Sequence, residues 1–231
     1  MRFDIMTLFP DFVDNILNES VIGRARKSGA IEVKCHNIRD YSEDKHRRVD
    51  DTPYGGGKGM LMAAPPIYNC YKAIIDEDPE NKYEKIRVVY MSPAGSVFDQ
   101  KKAEELAGYD RIIVLCGHYE GVDQRVIDEI IDEEISIGDF VLTGGELPAC
   151  IVTDSVARLV DGVLSDAECY MNESISSGLL EYPQYTRPYE FHGMTVPDVL
   201  LSGNHANIDK WRREQAVLKT ELKRPDLMKK F

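Results

Sequence analysis

A chain of 231 residues, 43% hydrophobic and 29% charged, has enough apolar content to bury the core of one or two globular domains. A net charge of −12 argues against a generic nucleic-acid binder, and no apolar run approaches the ~20 residues that span a membrane. The opening Met1-Arg2-Phe3-Asp4-Ile5 reads as a strand rather than a secretion signal, so the expected location is the cytoplasm. The 5 cysteines, at positions 35, 70, 116, 150 and 169, form no CxxC pair, which predicts reduced, mostly buried thiols instead of disulfides or a zinc site.

In chain order, residues 1–8 predict a strand, Pro10 opens a helix from its first turn, and residues 31–38 predict a second strand. Further on, a strand over 86–91 leads to a helix over 99–107, with Asp99 as N-cap and Gly108 as stop. A strand over 111–116 precedes a helix over about 122–131, whose apolar positions 122, 126, 127, 130 and 131 share one face. Residues 147–160 are periodic enough for another helix. Regularity fades between 165 and 187, and residues 207–222, containing Trp211, predict a last helix. The alternation predicts an α/β fold with a mostly parallel sheet flanked by helices. The expected division is a main domain over 1–163, a linker or mobile lid over 164–187, and a small helical domain over 188–231.

Three apolar runs each end in a glycine-bearing loop: Ser92-Pro93-Ala94-Gly95, Gly117-His118-Tyr119-Glu120-Gly121, and the dense block 136–148 containing Gly138, Gly144 and Gly145. Bare backbone at strand ends can approach a small ligand closely, and three such loops can converge on one. Charge is uneven: residues 178–231 carry 9 Lys and Arg against 7 Asp and Glu, whereas the preceding residues are strongly acidic. Basic concentrations over 24–48 and 205–231 could follow a phosphate backbone or could be solvated helix faces. The stretch Thr52-Pro53-Tyr54-Gly55-Gly56-Gly57-Lys58-Gly59 lacks the spacing of a P-loop, and no GxGxxG, GxSxG or HExxH occurs. His118, inside a ligand loop, reads as a partly exposed loop histidine.

Ordered motifs run almost end to end: Leu8-Phe9-Pro10, Gly23-Arg24-Ala25, Val49-Asp50-Asp51, Pro53-Tyr54-Gly55-Gly56-Gly57, Tyr119-Glu120-Gly121, Ser136-Ile137-Gly138-Asp139, Gly144-Gly145-Glu146-Leu147-Pro148, Tyr185-Thr186-Arg187-Pro188 and Leu200-Leu201-Ser202-Gly203-Asn204-His205. With these the chain resembles the bacterial tRNA (guanine-N1)-methyltransferases, the TrmD family of the SPOUT class. The resemblance implies a trefoil knot in the α/β domain, a rare exception to unthreaded topology. It also implies S-adenosylmethionine as cofactor. The implied cofactor contacts are Tyr90, Met91, Ser92, Pro93 and Gly95 from the first loop and Gly117, Tyr119, Glu120 and Gly121 from the second. The third contributes Ile137, Gly138, Asp139, Phe140, Val141, Leu142, Gly144, Gly145 and Pro148.

The implied reaction is methyl transfer to N1 of the guanine immediately 3′ of a tRNA anticodon. By motif, Arg158 matches the family's catalytic arginine, expected to stabilise charge on guanine O6. Where relatives carry Asp before Ser-Phe, this chain reads Asn172-Glu173-Ser174-Ile175, so Glu173 is the candidate general base, with Glu168 and Asp166 as weaker alternatives. Family dependence on magnesium adds Mg²⁺ as a second expected cofactor, with Glu120 as its candidate holder. Expected tRNA contacts are Arg24, Lys27, His46 and Arg47 in one basic patch and Asn204, His205, Lys210, Arg212 and Arg213 in the other. A homodimer with sites shared between subunits is implied as well. Two rival readings stay open: a knotted methyltransferase acting on another RNA base, and a non-catalytic RNA-binding factor.

Overall fold

The computed structural model describes residues 1–78, 80, 82–165, 174–175 and 178–228. The chain divides into two compact units, Met1–Ser165 and Asp166–Phe231.

In the first unit five strands form one parallel sheet: β1 (Arg2–Thr7), β2 (Glu32–Asn37), β5 (Ile86–Val97), β6 (Arg111–Cys116) and β7 (Glu133–Ser136), in the spatial order β2-β1-β6-β5-β7. The helices between them are α1 (Pro10–Leu17), α2 (Ser20–Ser28), α3 (Ala64–Asp76), α4 (Gln100–Leu106), α5 (Gln124–Ile130) and α6 (Glu146–Ala157). A short antiparallel pair, β3 (Asp50–Asp51) and β4 (Leu61–Met62), lies outside the sheet. The central strand β6 is buried at every position, as an apolar run covered on both faces must be. Its alternate residues feed two cores. Ile112, Val114 and Cys116 pack with Val13 and Leu17 of α1, Leu106 of α4 and Val152 and Val156 of α6, while Ile113 and Leu115 pack with Ile67 and Ile74 of α3 and Val126 of α5. The result is helix, sheet, helix in three layers.

Local chemistry explains several boundaries. Pro10 starts α1 with its φ pre-set. The Asp99 carboxylate accepts from the Lys102 backbone N–H at 2.9 Å and caps α4, as expected, and Asp123 caps α5 in the same way. β5 is longer than expected because it resumes after a bulge: Met91 and Ser96 both stand opposite Ile135, so residues 92–95 leave the ladder. Gly95 sits at that crossing, where a Cβ would strike the Glu134 backbone.

A charge cluster crosses the sheet. Asp4, fully buried on β1, accepts from Arg111 Nε at 2.7 Å, Arg2 Nη2 at 2.7 Å and His36 Nε2 at 2.7 Å. Burial alone would raise the Asp4 carboxyl, but the bonds from His36, Arg2 and Arg111 outweigh it and hold the pKa at about 2. Arg111, itself fully buried, also donates to the Ile74 carbonyl at 3.0 Å.

The second unit is built on α7 (His205–Lys223), followed by α8 (Pro225–Met228) and preceded by a two-stranded hairpin, β8 (Glu190–Phe191) and β9 (Met194–Thr195). Ile208, Ala216 and Leu227 are buried, and the Thr220 hydroxyl accepts from the Leu180 N–H at 2.8 Å while donating to the Ala216 carbonyl.

Candidate functional site

The chain order of the strands reverses at β5: β6 lies on one side of it and β7 on the other. Open α/β sheets bind ligands at the carboxyl ends of strands beside such a reversal. Here the loops leaving β6 and β7 and the bulge inside β5 enclose a cleft of about 360 Å³, a size that suits a small organic ligand.

The three loops are packed against one another through backbone. Gly145 N donates to Gly117 O at 2.8 Å, and His118 bridges to Gly144. A Cβ on Gly145 would lie 2.8 Å from Cys116 Cα, so the approach of the loops requires glycine there, and one on Gly117 would lie 2.8 Å from the Tyr90 hydroxyl, so that glycine makes room for the Tyr90 ring. Burial raises the Tyr90 phenol above its ordinary value and raises the Cys116 thiol further, so both are neutral at physiological pH. The outer wall is apolar and open: Phe140 and Val141 are 54% and 84% exposed.

All the residues expected to hold a cofactor line this cleft except Gly95 and Asp139. Gly95 serves the β5–β7 crossing, and Asp139 is an exposed carboxylate on the third loop. The cleft adds His118, Ile135, Ser136 and Thr143. His118 is the consequential addition. Its Nδ1 is buried without a hydrogen-bond partner, while its ring stands edge-on to Tyr119 at 5.0 Å and tilted against Phe9 at 5.2 Å. That nitrogen stands at the contact of the second and third loops, where a Cβ on Gly144 would lie 2.6 Å from it. The signal was present in the sequence as a histidine inside a glycine loop, but a loop histidine is ordinarily solvated.

The second loop is also held from outside. Glu120 N donates to Met60 O at 3.0 Å, Met62 N donates to Gly121 O at 2.9 Å, and Arg39 Nη2 donates to the Tyr119 hydroxyl at 3.4 Å. Arg39, with Asp40, is one of the motifs shared with the family, but its sequence context assigned it no role.

Arg158 is the C-cap of α6 and lines a second groove rather than the cleft, together with Ile16, Leu17, Leu147, Cys150, Ile151 and Asp154. Glu173, with the alternatives Asp166 and Glu168, lies outside the described residues. Among the described residues no group of three or more His, Cys, Asp or Glu could hold a metal ion, and no helix is long and apolar enough to cross a membrane.

Of the basic residues, Arg24 and Lys27 are exposed on α2, His46 is exposed, and Arg47 is exposed and paired with Asp40 at 2.9 Å. In the second unit His205, Lys210 and Arg213 are exposed on α7. The Asn204 carboxamide is used locally, accepting from Asn207 N at 3.2 Å as the N-cap of α7. The Arg212 guanidinium lies over the Tyr182 ring at 5.0 Å.

The parallel sheet with a glycine-walled cleft at its reversal defines an α/β protein of the kind that binds a small cofactor at its strand ends. Comparison with known proteins narrows that class: residues 1–230 match the family described as tRNA (Guanine-1)-methyltransferase TrmD, and the chain belongs to that family. It is 56% identical over 231 residues to a tRNA (guanine-N(1)-)-methyltransferase of Ruminiclostridium cellulolyticum, covering 100% of this chain and 97% of the relative. It is 53% identical to the protein of that name from Clostridioides difficile, covering 100% and 98%, and 50% identical to one from Staphylococcus aureus, covering 100% and 92%.

Proposed function

We propose that the protein is a cytoplasmic enzyme that transfers the methyl group of S-adenosylmethionine to N1 of the guanine immediately 3′ of the anticodon in tRNA. The observation that carries the reading is the convergence of three glycine-bearing loops on one cleft in a chain that matches the TrmD family over residues 1–230. The cleft suits the cofactor's chemistry. Phe140, Val141 and Leu142 offer an apolar wall to a purine, His118 Nδ1 offers an unpaired polar atom, and the Glu120 carboxylate offers a counter-charge to a positive sulfur. When bound, S-adenosylmethionine supplies a methyl group made electrophilic by that sulfur. Glu120 is also the residue that would hold Mg²⁺. The contact between the third loop and the second is in keeping with the trefoil knot of the family.

Guanine N1 carries a proton, and its removal places negative charge on O6. Glu173 accepts that proton and the Arg158 guanidinium stabilises the oxygen. Arg158 lies on the second groove, whose apolar residues Ile16, Leu147 and Ile151 are each more than 40% exposed. An isologous homodimer formed over this groove covers them and lets each site draw residues from both subunits. The exposed cations of α2, the 46–47 turn and α7 then contact tRNA phosphates.

Labelled S-adenosylmethionine and tRNA transcripts carrying guanine or adenine 3′ of the anticodon test the reading. Label that follows the guanine is expected. Label that follows another base points to a different methyltransferase, and binding without label points to a non-catalytic factor. Glu173→Gln is expected to lower turnover about 100-fold or more with cofactor affinity unchanged. Undiminished turnover would move the base elsewhere.

A further inference from the structure

The glycine-rich stretch 53–59, which fails as a P-loop, forms the tip of the β3–β4 hairpin, in which Asp50 pairs with Met62 and Asp51 with Leu61. The base of the hairpin is fastened to the second loop of the cleft. Met60 O accepts from Glu120 N at 3.0 Å, Met62 N donates to Gly121 O at 2.9 Å, and Met62 O accepts from Asp123 N at 3.0 Å. Gly59, at φ +88°, lies where a Cβ would strike the Glu120 side chain. At the tip, Tyr54 is 100% exposed, more than any other large hydrophobic side chain among the described residues, and Lys58, on the same tip, is exposed as well.

A fully exposed aromatic ring on a hairpin whose base is bonded to a loop of the cleft offers a flat face to a partner that reaches the cleft. The chemistry of the target limits the partner. N1 of guanine lies on the edge used in base pairing, so a nucleotide methylated there is presented unpaired, and its neighbours lose a stacking partner. Proteins that read unpaired RNA replace that partner with an aromatic side chain and hold the adjoining phosphate with a cation. We propose that Tyr54 is a stacking platform for an unpaired tRNA base next to the target guanine, with Lys58 facing its phosphate.

This inference rests on the proposed tRNA methylation, and the test separates the two. Wild type, Tyr54→Ala and Tyr54→Trp are titrated with S-adenosylhomocysteine and with a tRNA transcript carrying 2-aminopurine beside the target guanine. For Tyr54→Ala the tRNA dissociation constant is expected to rise about tenfold or more and the fluorescence quench on binding to shrink, with S-adenosylhomocysteine affinity unchanged. Tyr54→Trp is expected to keep tRNA affinity within about twofold, because any flat aromatic face serves. Wild-type tRNA affinity and quench in Tyr54→Ala would overturn the platform alone. An equal loss of S-adenosylhomocysteine affinity would overturn it too, by showing a distorted cleft instead. A wild-type protein that does not bind the transcript overturns the methylation reading and this one with it.

Discussion

At the scale of single residues, the cleft depends on atoms that are missing. Gly145 has ordinary helical backbone angles, so alanine there meets no conformational penalty, and its effect is purely one of space. The added Cβ would press on Cys116 Cα at 2.8 Å and Gly117 N at 2.9 Å, both of them backbone, so the second and third loops must part. A displacement of about 1 Å in a positioning group can cost about 100-fold in rate. Gly145→Ala is therefore expected to weaken S-adenosylhomocysteine binding about tenfold or more by calorimetry, and unchanged affinity would show that the loops relax without cost. His118 makes the complementary case. If its buried Nδ1 meets a polar atom of the cofactor, His118→Phe keeps the ring packing against Phe9 and Tyr119 but leaves that atom unpaired. The variant is expected to lose about 1–3 kcal/mol of cofactor affinity with little change in melting temperature. A loss of melting temperature without a loss of affinity would reassign His118 to packing alone.

At the scale of elements, α6 joins the cleft to the second groove. Its inner residues Ala149, Val152 and Val156 are fixed in the core, while Leu147 and Ile151 are 45% and 46% exposed beside Ile16 of α1. Ile151→Asp removes no core contact, since its side chain faces the groove, but places a charge in any dimer formed there. Sedimentation is expected to show monomers, with methylation lost and the melting curve of the protomer retained. A dimer that persists would place the contact on another face. The strands and helices of this unit that follow a clean pattern were legible in the sequence: β1, β2, β6, and α4 with its Asp99 cap. Those that were not have identifiable physical causes. The 4 residues of β7 merge with the glycine block that follows. The buried stripe of α2 is made partly of Gly23 and Ala25 among basic residues, which weakens its apolar signal, whereas α3 carries Ile67, Cys70 and Ile74 at helical spacing behind the pair Pro65-Pro66. Of the cleft, the glycines announced the loops, because close backbone approach leaves a mark in composition. His118 and Arg39 could be seen in the sequence but not their contacts, which depend on residues distant in sequence, Gly144 in one case and Tyr119 in the other.

At the scale of the whole molecule, the Asp4 cluster ties β1, β2 and β6 together beneath the site, joining side chains 107 residues apart in sequence. Its pH dependence has a definite sign. The folded-state pKa of about 2 lies below the ordinary value of 3.8, so the contribution is fully present above about pH 5 and is lost as pH falls through 4 towards 2. Asp4→Asn keeps the shape of the side chain but leaves Arg111, fully buried, without its carboxylate partner. Breaking one side of a buried ion pair costs about 3–5 kcal/mol, a large share of the stability of a domain. Chemical unfolding at neutral pH is expected to show that loss, and the acid-induced part of the decline between pH 4 and 2 is expected to flatten in the variant, because the group that titrates there is gone. A variant with wild-type stability at pH 7 would show that the carboxamide oxygen of Asp4→Asn still accepts from Arg111 and that the carboxylate charge adds nothing. A variant that loses stability but keeps the full acid decline would assign that decline to other carboxylates.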